Sequence, residues 1–352
     1  MNLNEILTPR IYLDTNHWIE LFDIIKGNKK NDSVGKLYAN LIKFRDTDRV
    51  KIPFSAYNYF ELLKYENIQR RNEIIDFMID ISNGWYFRQI DFYFQYEILN
   101  VCFRKIKNNA YYNIYNQLLT NRIDHLFPNS SAKIVPKEKS NVSEKEIEDI
   151  SKKFEELNKN TKIMKSMFKD KFPNLFAQTI DHHIEKLSIA IEKDRINYYE
   201  VSDAIYDKYT KMKWFVKLTI PTLSEFLLKH KINSELFLSS KNEINDMLSK
   251  MPALEVFVEL SYTRDKASKE REVKKNDYYD ICHFATALPY CDIIIGEKMF
   301  SNISKRTKLD EKNHCLIFSS LSEFAEKNLV KLYRKILNSK RKKLKRLYFV
   351  PS

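Results

Sequence analysis

Residues 10–22 read RIYLDTNHWIELF. Ile11, Tyr12 and Leu13 form a short apolar run suited to a buried strand, and Asp14 ends it. Trp18, Leu21, Phe22 and Ile25 then recur on one face at helical spacing. A carboxylate between a buried strand and a helix has two uses. It can cap the helix by accepting free amide protons, or it can wait for a cation. Which applies to Asp14 depends on whether other acids are brought beside it.

Outward from this stretch, strand and helix alternate. A helix is predicted across Val34–Phe44, with Leu37, Leu41 and Phe44 inward. RVKIPFS (49–55) alternates Val50, Ile52 and Phe54 at the period of a strand, and Pro53 points to a strand edge or end. Ser55 then fits the N-cap of a helix running AYNYFELLKYENI. Near the other end, NDYYDICHFATAL (276–288) has Ile281, Phe284, Ala285 and Leu288 on an apolar face, and Pro289 stops it. DIIIG (292–296) and HCLIFSS (314–320) read as buried parallel-type strands, followed by the helix LSEFAEKNL. Residues 1–95 and 270–330 therefore read as two halves of one α/β sheet, with 331–352 as a basic C-terminal tail. Between them, 96–269 carries long amphipathic stretches and reads as an all-helical insertion; its charged segment 136–162 reads as an exposed helix or linker.

Composition bounds the class. The chain has 352 residues, 43% hydrophobic and 30% charged, which is globular usage. Only 4 glycines leave little material for tight hairpins, so helices should dominate. No apolar run approaches the roughly 18 residues of a membrane helix, which speaks against a membrane partner. The 4 cysteines lack CxxC spacing and read as reduced thiols of a cytoplasmic protein. The formal charge is +13, and residues 331–346 hold nine Lys or Arg and no acid. Most of the excess thus sits in the tail, and Lys340, Arg341, Lys342 and Lys343 are its candidate contacts to a phosphate backbone. The alternative for this run is a solvated helix face.

In an open parallel sheet, functional groups gather at the carboxyl ends of the strands. Asp14 sits at one such end, and Glu297 lies just past DIII. Glu61, about two turns into its helix, can lean back to the same edge. Asp277 and Asp280, three apart, share a helix face. Asp292 opens its strand and, at about 3.3 Å per residue, lies about 10 Å or more away, so it is excluded. Unpaired carboxylates crowded together raise one another's pKa, and a hard divalent cation such as Mg²⁺ or Mn²⁺ relieves the repulsion. His17 and His283 flank these acids and are read as satisfied residues beside the core. The adjacent His182 and His183 of DHHIE point about 100° apart on a helix and are rejected as a metal pair.

These blocks resemble the PIN-domain nucleases. IYLDTNHWIEL resembles the family's opening strand, PFSAYNYFEL its second block with Glu61, DICHFATAL its third with Asp280, and IIIGEKMF its fourth. In the fourth block this chain has Glu297 where the family usually has Asp, and Met299 where an acid often stands. The likeness covers about residues 8–70 and 272–325, under half the chain. It implies a three-layer fold, a parallel sheet flanked by helices, and a metal-dependent endonuclease acting on RNA or, less often, DNA. Asp14, Glu61 and Asp280 would hold Mg²⁺ or Mn²⁺, with Glu297 assisting and Asp277 as a further ligand or supporting acid. Asn16 would orient Asp14 or the scissile phosphate, and products would carry a 5′-phosphate and a 3′-hydroxyl. A toxin or antiviral role with an inhibitory partner is compatible with such chemistry. A catalytically silent relative that binds RNA or protein stays open, on Glu297 and Met299. An aspartyl-phosphate phosphatase is disfavoured, because Asn16 stands where its second acid belongs. The insertion is expected to serve oligomerisation, substrate grip or a lid. Segment 264–277, with Lys274 and Lys275, is expected to be a gate that meets phosphates.

Overall fold

Ile11–Leu13, Ile293–Ile295 and Leu316–Phe318 are strands because each is a continuous apolar run that the chain can cover on both faces. They are β1, β5 and β6, and they form a parallel sheet in the order β1-β5-β6, with Leu13, Ile295 and Phe318 in register at the carboxyl edge. The computed structural model describes residues 8–107, 118–122, 125, 144–171, 173, 189, 203–238, 240–267 and 274–348.

A second sheet is built from β2 (Phe54–Ser55), β3 (Tyr86–Phe87) and β4 (Leu119–Thr120). β2 pairs parallel with β3, which pairs antiparallel with β4. The two sheets meet at one bridge, Arg10 to Lys51, where Ile11 N donates to Lys51 O at 2.9 Å and Lys51 N to Pro9 O at 2.8 Å. The alternation through 50–54 thus yields a bridge and a two-residue strand instead of a full ladder. Pro53, between them, has no amide proton to contribute.

Helices dominate the rest, and the fold is α/β and mostly helical. Thr15–Ile25 leaves β1, and Asp32–Asp46 follows, capped by Asn31. Ala56–Leu62 leaves β2 behind a reciprocal Ser55/Asn58 cap. Lys275–Ala287 precedes β5 and Lys298–Arg306 follows it. These helices bury Trp18, Phe22, Tyr59, Phe284 and Phe300 around the strands.

The middle of the chain packs onto this body. Ile90–Lys105, Asp203–His230 and Pro252–Ala267 pack against one another, and Pro252–Ala267 lies along Lys275–Ala287. Phe257 is the hub, with ring centroids 5.5 Å from Phe94, 5.4 Å from Trp214 and 5.9 Å from Tyr278. The boundary expected at residue 95 falls inside the helix Ile90–Lys105, because Phe92, Tyr93, Phe94, Ile98 and Val101 are one buried set. Nor is the middle all helical, since β4 lies within it. The charged segment forms the helix Glu144–Asn158, where Ile150 and Leu157 are exposed. Residues 181–185 lie outside the described part.

The basic tail is a helix, Leu329–Tyr348. Ile336 is buried, and the Tyr333 ring lies 5.7 Å from Phe44. Leu329, Leu332, Tyr333 and Ile336 border a small gap shared with Ile11 and Ile293, at the amino ends of β1 and β5. The basic helix is therefore anchored at the strand ends opposite those that lead to Asp14 and Glu297. The side chains of Lys340, Arg341, Lys342 and Lys343 lie outside the described part. No helix of the described residues is long and apolar enough to cross a membrane.

Candidate functional site

Asp14 extends the β1 ladder by one bond, its amide donating to Ile295 O at 3.0 Å. Its side chain then does what the cap reading expected: Oδ1 accepts from His17 N at 3.2 Å. No hydrogen bond reaches Oδ2 among the described residues. Asp14 is 4% exposed. Burial pushes its pKa up, the nearby His17 and His283 rings offset part of this, and the charge on Glu61 adds to the rise. So the first acid is a cap with one oxygen to spare. Asn16, next to it in the first helical turn, is exposed and makes no hydrogen bond among the described residues.

Glu61 leans back from the helix Ala56–Leu62 as expected, onto Thr15 and His283. Its Oε2 accepts from Thr15 Oγ1 and, at 2.9 Å, from His283 Nε2. Oε1 has no hydrogen bond among the described residues. Burial opposes the charge on Glu61, yet His283 and Thr15, with a smaller contribution from Lys64, outweigh it and hold the pKa below the ordinary range. Lys64 itself bonds Asn276 and lies 3.8 Å from the Tyr279 ring centroid.

Behind Glu61 the network continues into the core. His283, 1% exposed, meets the Tyr12 hydroxyl through Nδ1, and Tyr12 in turn meets Ser55 Oγ at 2.7 Å. Asn58 closes the ring. Its amide donates to Leu13 O at 3.3 Å and to Thr15 Oγ1 at 3.1 Å, while its Oδ1 accepts from Ser55 N at 2.7 Å. His283 thus links the Glu61 carboxylate at Nε2 to the Tyr12 phenol at Nδ1.

Asp280 differs from the other two. Among the described residues it has neither a hydrogen bond nor an ion pair. Burial and then the charges of Glu61, Asp14, Glu297 and Asp277 push its pKa up to about 8. Glu297 stands past β5 and caps the helix Lys298–Arg306, its Oε2 accepting from Met299 N at 2.7 Å and Phe300 N at 3.2 Å.

Asp277 is the expected ligand whose charge is already matched. Its Oδ2 accepts from Arg264 Nη2 at 2.6 Å and from Lys274 N at 3.0 Å. Arg264, 1% exposed, also bonds Asp265 at 2.9 Å. This buried group pins the start of the Asp280 helix. It also corrects the gate reading at its edges: Arg264 and Asp265 belong to the helix Pro252–Ala267 and do not face phosphates. Lys274 is exposed at the helix start; Lys275 is in the helix with its side chain outside the described part, as are residues 268–273. Asp292, excluded beforehand, accepts from Arg10 N at 2.8 Å at the amino end of β5.

Asp14, Glu61, Asp280 and Glu297 are thus brought to one edge of the sheet. None is ion-paired to Lys or Arg among the described residues. Their side chains are not yet closed on a point, since among the described residues no group of three or more His, Cys, Asp or Glu stands ready to hold a metal ion. Sequence reasoning missed Thr15, Asn58 and Tyr12 as members of the site and set His283 aside. The one local signal was Asn58 three residues after Ser55, the spacing of a capping box. No family model, no curated protein and no solved structure matches this chain.

Proposed function

We propose that this chain is a PIN-like, divalent-cation-dependent nuclease that hydrolyses phosphodiester bonds in RNA at the carboxyl edge of β1 and β5. One observation carries the reading. Acids from three distant segments, Asp14, Glu61 and Asp280, share one sheet edge, where burial and then the charges of Glu61 and Asp14 lift Asp280 to about 8, with no Lys or Arg paired to them among the described residues. Like charges held together in a folded protein call for a counter-charge, and an all-oxygen donor set suits a hard cation. Bound Mg²⁺ or Mn²⁺ would neutralise the phosphodiester and acidify a water for in-line attack. Asp14 and Asp280 would hold it, with the free oxygen of Glu61 and, at longer reach, Glu297. In this reading the exposed Asn16 would donate to a phosphate oxygen and the basic helix Leu329–Tyr348 would hold the polyanion.

A second reading is a catalytically silent module that binds RNA or protein. It is favoured by the absence of a ready three-ligand set among the described residues and by Glu297 already serving as a cap. Cleavage of labelled RNA and DNA pools with Mn²⁺ or with EDTA separates the two. The nuclease reading expects Mn²⁺-dependent RNA cleavage that Asp14→Asn and Asp280→Asn each reduce by at least about 100-fold, the scale of several kcal/mol of lost charge stabilisation. RNA binding without cleavage by any of the three proteins would favour the silent module.

A further inference from the structure

We infer that His283 is the positioning residue that fixes Glu61 so that one carboxylate oxygen is held and the other is offered to a cation. The inference rests on the acidic edge being a cation site. A glutamate at the exit of a helix has three side-chain torsions, and ordering it costs rotamer freedom. A ligand ordered beforehand avoids that cost when the ion arrives. Here the ordering is visible: Thr15 Oγ1 and His283 Nε2 converge on the same oxygen, Oε2. Oε1 makes no hydrogen bond among the described residues, so Glu61 is set up to bind through a single oxygen.

His283 is itself held. Tyr12 of β1 meets its Nδ1, Ser55 at the end of β2 backs Tyr12, and the Tyr57 ring lies 5.9 Å from the imidazole, edge to face. The histidine sits in the helix Lys275–Ala287, three residues after Asp280. One helix therefore supplies an acid directly and orients a second acid from another helix. This is how ligating carboxylates are commonly supported, by a hydrogen bond from behind that fixes the oxygen facing the ion.

Two substitutions separate positioning from packing. His283→Gln keeps an N–H near the Nε2 position and can still reach Glu61, whereas His283→Asn keeps polar atoms only near Nδ1 and cannot. Binding of Mn²⁺ alone, read by electron paramagnetic resonance on the full chain, is the measurement, with thermal unfolding as the control for folding. His283→Asn is expected to weaken Mn²⁺ binding by about 10-fold or more and His283→Gln to stay within about 3-fold of wild type. If His283→Asn does not fold, Thr15→Val, which removes the other donor to Oε2, is expected to weaken binding in the same direction. Folded His283→Asn, or folded Thr15→Val in its place, with wild-type Mn²⁺ affinity would overturn the inference while leaving the cation site standing. Wild-type protein that binds no Mn²⁺, or Asp14→Asn that binds it equally well, would overturn the site and the inference together.

Discussion

Asp280 is the residue whose behaviour most depends on what stands around it. In the ion-free protein its pKa of about 8 lies far above the ordinary carboxyl value of about 3.9. The folded state therefore holds a proton that the unfolded chain has released. Stability from this group is fully present below about pH 4, falls as pH rises through the window from about 4 to 8, and is flat above it. Asp280→Asn removes the penalty, so without metal it should be more stable than wild type at pH 9 by several kcal/mol, with little difference at pH 4; denaturant melts at the two pH values check this. The same proton competes with a cation, so Mn²⁺ affinity should rise from pH 6 to about 8 and then level off. At this scale the acids were legible in the sequence, because each stands at a strand end or on a helix face. Their partners were not: Tyr12 and His283 are 271 positions apart, and no local pattern pairs a phenol with an imidazole.

The helix Lys275–Ala287 has to hold Asp280 at the sheet edge, and the buried group around Arg264 is what fixes its first turn. Arg264→Met would remove the guanidinium that bonds both buried carboxylates, Asp265 and Asp277, which costs about 3–5 kcal/mol. A drop in unfolding free energy of that order, read from urea melts, is expected. A change under 1 kcal/mol would mean that the helix start is held by packing alone. Asp277 illustrates why the i, i+3 spacing misled: it puts two carboxylates on one face but says nothing of what each meets. The β1, β5 and β6 strands were readable because IYL, III and LIF are uninterrupted apolar runs. The two-residue β3 and β4 are too short to show a period, and their pairing is made by tertiary contacts.

Across the whole molecule, the candidate acids and the basic helix lie at opposite ends of the strands. The acids stand at the carboxyl ends of the strands, and the basic helix is anchored at the amino ends. Its 20 residues span about 30 Å. Replacing Lys340, Arg341, Lys342 and Lys343 together with Gln should weaken RNA binding uniformly across sequences and lower the slope of log affinity against log salt by up to about 3. Filter binding at several salt concentrations measures this, and an unchanged slope would remove the tail from the binding surface. The charge run was plain in the sequence; where it anchors was not, because that follows from Tyr333 and Ile336 finding Phe44 and the β1/β5 floor. Above all, the molecule stands or falls as a nuclease on one ion. Anomalous diffraction from a crystal soaked in Mn²⁺ should show a peak bound by Asp14, Asp280 and the free oxygen of Glu61; saturating Mn²⁺ with no peak at that edge would contradict it.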